Sequence, residues 1–209
     1  MKPEFPKLIP IFPLSGVIYF PKTNLPLNIF EKRYLSLIND AMKTNKLMGM
    51  VQSIRGGEEV YKVGCLGKIS DFRKSEDGRI IVNLTGLTRF EIKQEISSPK
   101  LYREFDVQYE KFGSDIEINT NDLKKSDLDL LFEKSKDFFK RSGLMLNWKE
   151  LEKLDQDQQI NTLAMISPIS NEEKQKLLET VTLNEKIQTL SSIIEFYLYE
   201  RITDKTTIQ

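Results

Sequence analysis

The spacing of apolar residues changes once along this chain, near residue 113, and the change limits the folds open to it. Before this point, apolar residues form short runs or alternate with polar ones, and Pro or Gly interrupts them, as in short β-strands joined by turns. After it they recur every three or four residues, as on one face of a helix. The sequence therefore predicts an α+β fold, with a β-rich part at residues 1–113 and a bundle of three to five helices at residues 114–209.

The β-rich part contains one embedded helix. Its predicted strands are residues 8–12, 17–20, 47–51, 67–72, 79–84, 87–96 and 101–112. Gly56-Gly57 and Asp77-Gly78 predict hairpin turns, because Gly adopts the backbone angles that tight turns need. The embedded helix has these residues on one face: Phe30, Tyr34, Leu37, Ile38, Ala41 and Met42. Several short strands at regular spacing indicate a small, partly closed β-barrel or a strongly bent sheet.

The helical part carries clear start and stop signals. Ser142-Gly143 ends a helix that bears an apolar stripe, and Ser167-Pro168 ends a helix at residues 156–166. Three pairs place a capping oxygen three residues before a Glu: Asn147 with Glu150, Ser170 with Glu173, and Thr182 with Glu185. Such pairs satisfy the unbonded amides at helix starts. A last helix is predicted from residue 183 to about residue 201.

Composition removes several classes of function. The chain has 31 basic and 31 acidic residues and no histidine. Histidine-dependent catalysis and imidazole metal sites are therefore absent, and the balanced charge argues against phosphate-driven binding of nucleic acid. Cys65, the single cysteine, lies in a Gly-flanked apolar run and is expected to be a small buried residue. We predict no cofactor and no metal.

The N-terminal residues and the hydropathy pattern favour a cytoplasmic protein. Residues 1–10 contain two Lys and three Pro and lack the apolar run of a signal peptide. No apolar stretch approaches the roughly 20 residues that span a bilayer. We therefore expect no membrane association.

Ordered segments along nearly the whole chain resemble the Lon N-terminal domain family. They are IPIFPLSGV at residues 9–17, FP at 20–21, LPLNIFEKRY at 25–34, GMV at 49–51, VGCLGKI at 63–69, DGRI at 77–80, LTGLTRF at 84–90, EEKQKLLE at 172–179 and NEKI at 184–187. The similarity is greatest to stand-alone bacterial members of that family. It implies a PUA-like β-barrel followed by a helical bundle, and a role in contacting polypeptide substrates.

The resemblance does not imply an enzyme. Lon continues into an ATPase and a Ser-Lys protease domain, whereas this chain ends at residue 209 and has no Walker A motif. The expected function is a non-catalytic module that binds unfolded or extended polypeptides, in an adaptor or quality-control role. A Lon-type protease is a further partner consistent with the resemblance, and a homo-oligomer is compatible with it. PUA-like barrels also occur in RNA-modifying proteins, so RNA binding is the alternative function, and a hydrolase without histidine is a distant third.

The candidate polypeptide-binding residues lie in the first 34 positions. They are Phe12, Leu14, Phe20, Leu25, Phe30, Glu31, Arg33 and Tyr34. The Pro-interrupted apolar members are expected to leave an apolar edge for strand addition, although Pro also protects edge strands from aggregation. Glu31 and Arg33 either flank a peptide groove or simply form a local ion pair at a helix start. Phe30 and Tyr34 are expected chiefly to pack the helix against the sheet.

Two further expectations concern charged residues. Arg89 is expected to anchor the barrel by hydrogen bonds to backbone carbonyls. The acidic region that includes Asp115 lacks the spacing of a calcium loop and is interpreted as a solvated loop.

Overall fold

The computed structural model describes residues 4–54, 58–116 and 125–206, with side chains up to residue 199. The chain forms two compact units, Met1–Ile118 and Asn119–Gln209. Residues 117–124 lie outside the described part, and the predicted boundary between residues 113 and 114 stays a prediction.

The first unit contains a mixed six-stranded sheet. Its strands are β1 Leu8–Leu14, β2 Asn24–Ile29, β3 Leu47–Gln52, β4 Val63–Lys74, β5 Ile80–Ile96 and β6 Arg103–Gln108. They pair in the order β2-β5-β4-β3-β1-β6, and β6 also pairs with β5. The β1–β3 pairing is parallel and the others are antiparallel. The α+β prediction is confirmed, and the PUA-like description stays a prediction.

A cluster of buried apolar residues forms part of the core of this unit. Its buried members are Ile9, Ile11, Val51, Leu66, Phe90, Phe105 and Val107. Full burial of a side chain of this size contributes roughly 1.5–3 kcal/mol relative to exposure. Gly49 and Gly64 allow this packing, because a Cβ would lie 2.9 Å and 2.6 Å from the ring of Phe90 respectively. The core thus holds the strands that carry the site described below.

β2 is a strand that was not among those predicted from the sequence. Leu25 and Ile29 are buried, whereas Asn24, Pro26 and Asn28 are exposed, which is the alternation of a half-buried strand. Pro is tolerated here because an edge strand does not need every N–H in a ladder.

The strand predicted at residues 17–20 is wrong, because these residues have no regular structure. Ile18, Tyr19 and Phe20 are nevertheless buried. These residues are apolar because they belong to a buried loop. A short apolar run is found in buried loops as well as in strands, so it does not identify a strand.

Residues 79–84 and 87–96 belong to one continuous strand, β5, where two strands were predicted. Gly86 lies within it because a Cβ there would be 2.3 Å from the carbonyl oxygen of Phe20. The predicted Asp77-Gly78 turn is confirmed, with a φ of 85° at Gly78. The predicted Gly56-Gly57 turn lies outside the described residues.

The predicted strand at 101–112 is shorter than expected. β6 ends at Gln108, and a 3-10 helix follows at Glu110–Asp115 with Phe112 fully buried. The apolar alternation continued to Phe112, but this residue reaches the core from a helical turn.

Arg89 and Asp115 form a buried ion pair, which corrects the expectation about Asp115, whereas the expected hydrogen bonds from Arg89 to backbone carbonyls stay a prediction. Nε and Nη2 of Arg89 donate to the two carboxylate oxygens of Asp115 at 2.9 and 2.7 Å, and the backbone N–H of Arg89 donates at 2.8 Å. The two side chains are 3% and 9% exposed. The guanidinium also lies 4.3 Å from the centre of the Phe112 ring. Asp115 is therefore an interior partner of the sheet and not part of a solvated loop.

The helix of the first unit is α1, Lys32–Lys43, and its buried face contains Tyr34, Leu37, Ile38 and Ala41. Phe30 precedes this helix and is 65% exposed. The expectation that Phe30 packs the helix against the sheet is therefore wrong, because β2 continues to Ile29 and the helical period begins only after Glu31.

The described part of the second unit consists of helices. They are α2 Lys125–Arg141, α3 Trp148–Leu151, α4 Gln156–Ile166, α5 Asn171–Glu179 and α6 Leu183–Thr206. Ser170 and Glu173 form a complete capping box at α5, and Thr182 with Glu185 makes the same reciprocal bonds at α6. The stop at Gly143 is confirmed, with a φ of 71°. The predicted helical region is therefore confirmed.

Candidate functional site

A polar groove of about 680 Å³ opens in the first unit beside the end of β1 and the start of α1. It is lined by Pro13, Leu14, Ser15, Glu31, Arg33, Tyr34, Ser53, Glu58, Glu95 and Arg103. Four of the eight candidate residues, Leu14, Glu31, Arg33 and Tyr34, therefore share one site.

The groove exists because β1 extends past the start of β6. β1 pairs with β6 only as far as Ile11 opposite Arg103, but it pairs with β3 as far as Leu14 opposite Gln52. The last residues of β1 therefore border a gap in the ladder. The hydroxyl of Tyr34 reaches the carbonyl oxygen of Pro13 across 3.4 Å, which is long for such a bond and therefore weak.

Glu31 and Arg33 form an ion pair at the start of α1. Nε and Nη2 of Arg33 lie 3.0 and 2.9 Å from one carboxylate oxygen of Glu31, and both side chains are about half exposed. An exposed pair of this kind contributes little to stability. The guanidinium also lies 4.5 Å from the centre of the Tyr34 ring, whose pKa is raised chiefly by burial. Both charges thus remain accessible to a ligand.

Arg103 organises the opposite side of the groove. It donates from Nε and Nη2 to the two carboxylate oxygens of Glu95 at 2.7 and 2.6 Å, and from Nη1 to the carbonyl oxygen of Glu58 at 2.7 Å. The hydrogen bond from Arg103 lowers the pKa of Glu95 below its ordinary value. This bidentate geometry fixes β5, β6 and the segment at residue 58 relative to one another.

The candidate residues predicted from the sequence do not include Arg103, Glu95 or Glu58. A signal existed for the first two, because Glu95 and Arg103 lie at facing ends of two consecutive predicted strands. No local pattern places Glu58 beside them, since its contact depends on the tertiary fold.

Gln52 adds an unsatisfied acceptor near the groove. It is the register partner of the groove residue Leu14, so the two side chains lie on the same face of neighbouring strands. Gln52 is 7% exposed, and its side-chain oxygen Oε1 has no hydrogen-bond partner among the described residues.

The remaining candidates separate into buried and exposed residues. Phe12, Phe20 and Leu25 are at most 8% exposed. Phe12 packs on Tyr34 with ring centres 4.0 Å apart. These side chains do not form the apolar surface that was expected, because they face the interior between the Pro residues. Phe30 is the exposed aromatic of the set, and it directly precedes the groove residue Glu31.

The sequence of the chain matches a known family. The sequence profile of the ATP-dependent protease La (LON) substrate-binding domain matches residues 8–195. This chain belongs to that family.

Full-length relatives in the Lon family are distant. The Lon protease of Syntrophus aciditrophicus is 24% identical over 209 residues, a match that covers 93% of this chain and 26% of the relative. The Lon protease of Flavobacterium johnsoniae is 33% identical over 100 residues, covering 45% of this chain and 12% of the relative. The chain therefore spans about a quarter of the length of the Lon protease from Syntrophus.

Solved structures of Lon N-terminal domains share the fold. The N-terminal domain of the Mycobacterium avium complex Lon protease has a TM-score of 0.66 and 18% identity, covering 90% of this chain and 98% of that one. A Lon N-terminal domain protein from Xanthomonas campestris has a TM-score of 0.66 and 21% identity, covering 88% and 97%. Within the described residues, no helix is both long and apolar enough to span a membrane.

Proposed function

We propose that this chain is a non-catalytic module that binds unfolded or extended polypeptides through the polar groove, in an adaptor or quality-control role in the cytoplasm. The membership of the Lon substrate-binding domain family supports this assignment. The observation that carries it for this chain is the convergence of Leu14, Glu31, Arg33 and Tyr34 in one groove. A Lon-type protease and a second copy of the chain are the further partners that we propose.

The groove has the chemical groups that a broad polypeptide receptor needs. Arg33 and Arg103 present guanidinium donors, and Glu31, Glu58 and Glu95 present acceptors. An unfolded segment exposes both N–H and C=O groups, so a mixture of donors and acceptors accommodates many sequences. Such binding is expected to be weak and transient, because broad specificity excludes tight complementarity to one ligand.

Phe30 is the apolar anchor in this proposal. It is 65% exposed beside the groove, and burial of a Phe side chain against a ligand contributes roughly 1.5–3 kcal/mol. The loss of such an anchor typically costs more than about 1 kcal/mol, which corresponds to a roughly fivefold or greater loss of affinity.

The test is fluorescence anisotropy with labelled casein as the unfolded polypeptide. We expect saturable binding that changes little with salt, and at least a roughly fivefold loss for Phe30→Ala. Phe196→Ala is the matched control, because Phe196 is 55% exposed on α6, far along the chain from the groove. If the two substitutions changed the affinity for casein equally, the proposal that Phe30 and the groove bind the polypeptide would be contradicted.

Two further measurements separate this function from the alternatives. Single-stranded RNA should bind weakly at two salt concentrations, because a phosphate-driven interaction would weaken steeply as salt rises. Salt-sensitive RNA binding without casein binding would contradict polypeptide recognition. Degradation of casein by the purified protein would contradict the non-catalytic assignment.

A further inference from the structure

β2 lies at an open edge of the sheet. Within the described residues, β5 is the only strand that pairs with it. Its residues Asn24, Pro26 and Asn28 are all exposed. The long side of β2 away from β5 therefore has no paired strand among the described residues.

The phase of the β2–β5 ladder shows which backbone groups face this edge. The N–H of Gly86 donates to the carbonyl oxygen of Thr23 at 2.9 Å, so the carbonyl of Thr23 faces β5. Backbone groups of successive residues in an antiparallel strand point alternately toward and away from the partner. Asn24, Pro26 and Asn28 therefore direct their backbone groups outward. Pro26 agrees with this phase, because it has no N–H to place in the inner ladder.

The open edge thus presents three carbonyl oxygens and two N–H groups. The carbonyls belong to Asn24, Pro26 and Asn28, and the N–H groups to Asn24 and Asn28. Successive outward residues lie about 6.8 Å apart, at about 3.4 Å per residue. Alternating acceptors and donors at this spacing match the backbone of another extended chain.

We propose that an extended polypeptide segment binds as an added strand along this edge of β2. The inference rests on the proposed function and specifies how the ligand is held. Phe30 follows the last residue of β2, and Glu31 of the groove is two residues beyond Ile29, or roughly 7 Å along an extended chain. A segment that pairs with β2 and continues past Ile29 therefore reaches both the aromatic anchor and the groove.

The exposed end of β1 is a poorer site for strand addition. The N–H of Val107 donates to the carbonyl of Lys7 at 2.8 Å, so Lys7, Ile9, Ile11 and Pro13 face the side of β6. Beyond the start of β6, Pro13 offers a single carbonyl and no N–H. One acceptor does not make a ladder, whereas β2 offers five groups.

Pro26 gives the added strand a preferred register. The residue opposite Pro26 donates its N–H to the Pro26 carbonyl, but its own carbonyl receives no donor in return. The missing donor also weakens pairing with a second copy of this chain, since Pro on an open edge opposes edge-to-edge association.

The first test uses the protein without substitutions. A labelled segment of casein of about ten residues, near the upper end of common strand lengths, is prepared as a series in which one backbone nitrogen at a time is methylated. We expect methylation at alternate positions to weaken binding about two- to tenfold, and the positions between them to have little effect. A uniform effect along the peptide would overturn strand addition while leaving the proposed function intact. Failure of the unmodified segment and of whole casein to bind would overturn both.

The second test changes the edge itself. Asn28→Pro removes an outward N–H, and Asn28→Ala removes the same side chain but keeps the N–H. Pro26 shows that this phase of β2 accepts proline without loss of the strand. We expect binding of Asn28→Pro to be about two- to tenfold weaker than that of Asn28→Ala, with unchanged far-UV circular dichroism. Equal affinities of the two variants for the peptide would contradict the proposal. The proposal would also be contradicted if sedimentation showed a dimer of the unsubstituted protein, and if Asn28→Pro dissociated this dimer but left peptide binding unchanged.

Discussion

Arg89 and Asp115 offer a direct measurement of what a buried charge contributes to this fold. Their side chains are 3% and 9% exposed, and three N–H groups of Arg89 donate to the carboxylate. Asp115→Ala leaves the guanidinium in the interior without this counter-charge. Breaking a buried pair by removal of one partner costs about 3–5 kcal/mol, because the remaining charge keeps its desolvation penalty.

A surface pair of similar geometry provides the control. Arg141 and Asp137 lie four residues apart on α2, with contacts of 3.0 and 2.7 Å and side chains 41% and 44% exposed. Asp137→Ala should cost less than about 1 kcal/mol, since water screens both charges and solvates the remaining one. The two substitutions therefore remove the same residue type from similar guanidinium contacts, and they differ in burial and in the backbone N–H that Asp115 also accepts.

Urea unfolding followed by far-UV circular dichroism distinguishes the two effects. With a slope of about 2 kcal/mol per M, the loss at Asp115 lowers the midpoint by about 2 M, and the loss at Asp137 by less than about 0.5 M. Equal midpoint shifts would refute the reasoning from burial. The double variant Arg89→Met with Asp115→Leu should regain part of the lost stability, because an apolar pair carries no charge desolvation penalty, while the backbone N–H of residue 89 still loses its acceptor.

Three further predictions follow from other parts of the fold. Gly86→Ala should lower the melting temperature much more than Gly113→Ala does. A Cβ at Gly86 would lie 2.3 Å from a backbone oxygen, whereas a Cβ at Gly113 would meet nothing within 4 Å. Equal melting temperatures of the two variants would exclude this steric cause. Ser170→Ala should cost about 1 kcal/mol in urea unfolding through loss of the capping box at α5, and no measurable change would mean that the cap is dispensable. The pKa of Glu95 is lowered by its hydrogen bond from Arg103, so the stability from this pair is present above the ordinary Glu pKa of about 4.3 and is lost as the pH falls through the lowered value. Glu95→Gln should therefore flatten the acid limb of a stability-against-pH curve, and an unchanged acid limb would contradict this linkage.

Local chemistry made several elements predictable from the sequence. The Asp77-Gly78 turn, the stop at Gly143 and the box at Ser170 and Glu173 each depend on residues close in the chain. Backbone angle preferences and capping hydrogen bonds are local, so their signals remain readable without the fold.

The errors occurred where local patterns have two physical explanations. Residues 17–20 are apolar because their loop is buried, and burial alone does not specify a strand. β2 was not predicted, although an edge strand accepts proline where its N–H would face solvent, as β2 does at Pro26. Phe30 matched the helical spacing of Tyr34, yet the chain is still leaving the strand at that position.

The candidate site was predictable in part. Leu14, Glu31, Arg33 and Tyr34 were selected from the sequence and do meet in the groove. Its far wall comes from residues more than 20 positions away, and their approach depends on how β1, β5 and β6 are registered.

The sequence by itself determined the family, the division into β-rich and helical parts and the polypeptide-binding hypothesis, because family motifs and hydrophobic periods are written in neighbouring residues. Only the tertiary structure decided that Phe12, Phe20 and Leu25 are interior, that Arg89 pairs with Asp115, and that β2 leaves an open edge. Burial, ion pairing and strand-edge exposure depend on residues distant in the chain, and no local pattern specifies which distant residues will be neighbours.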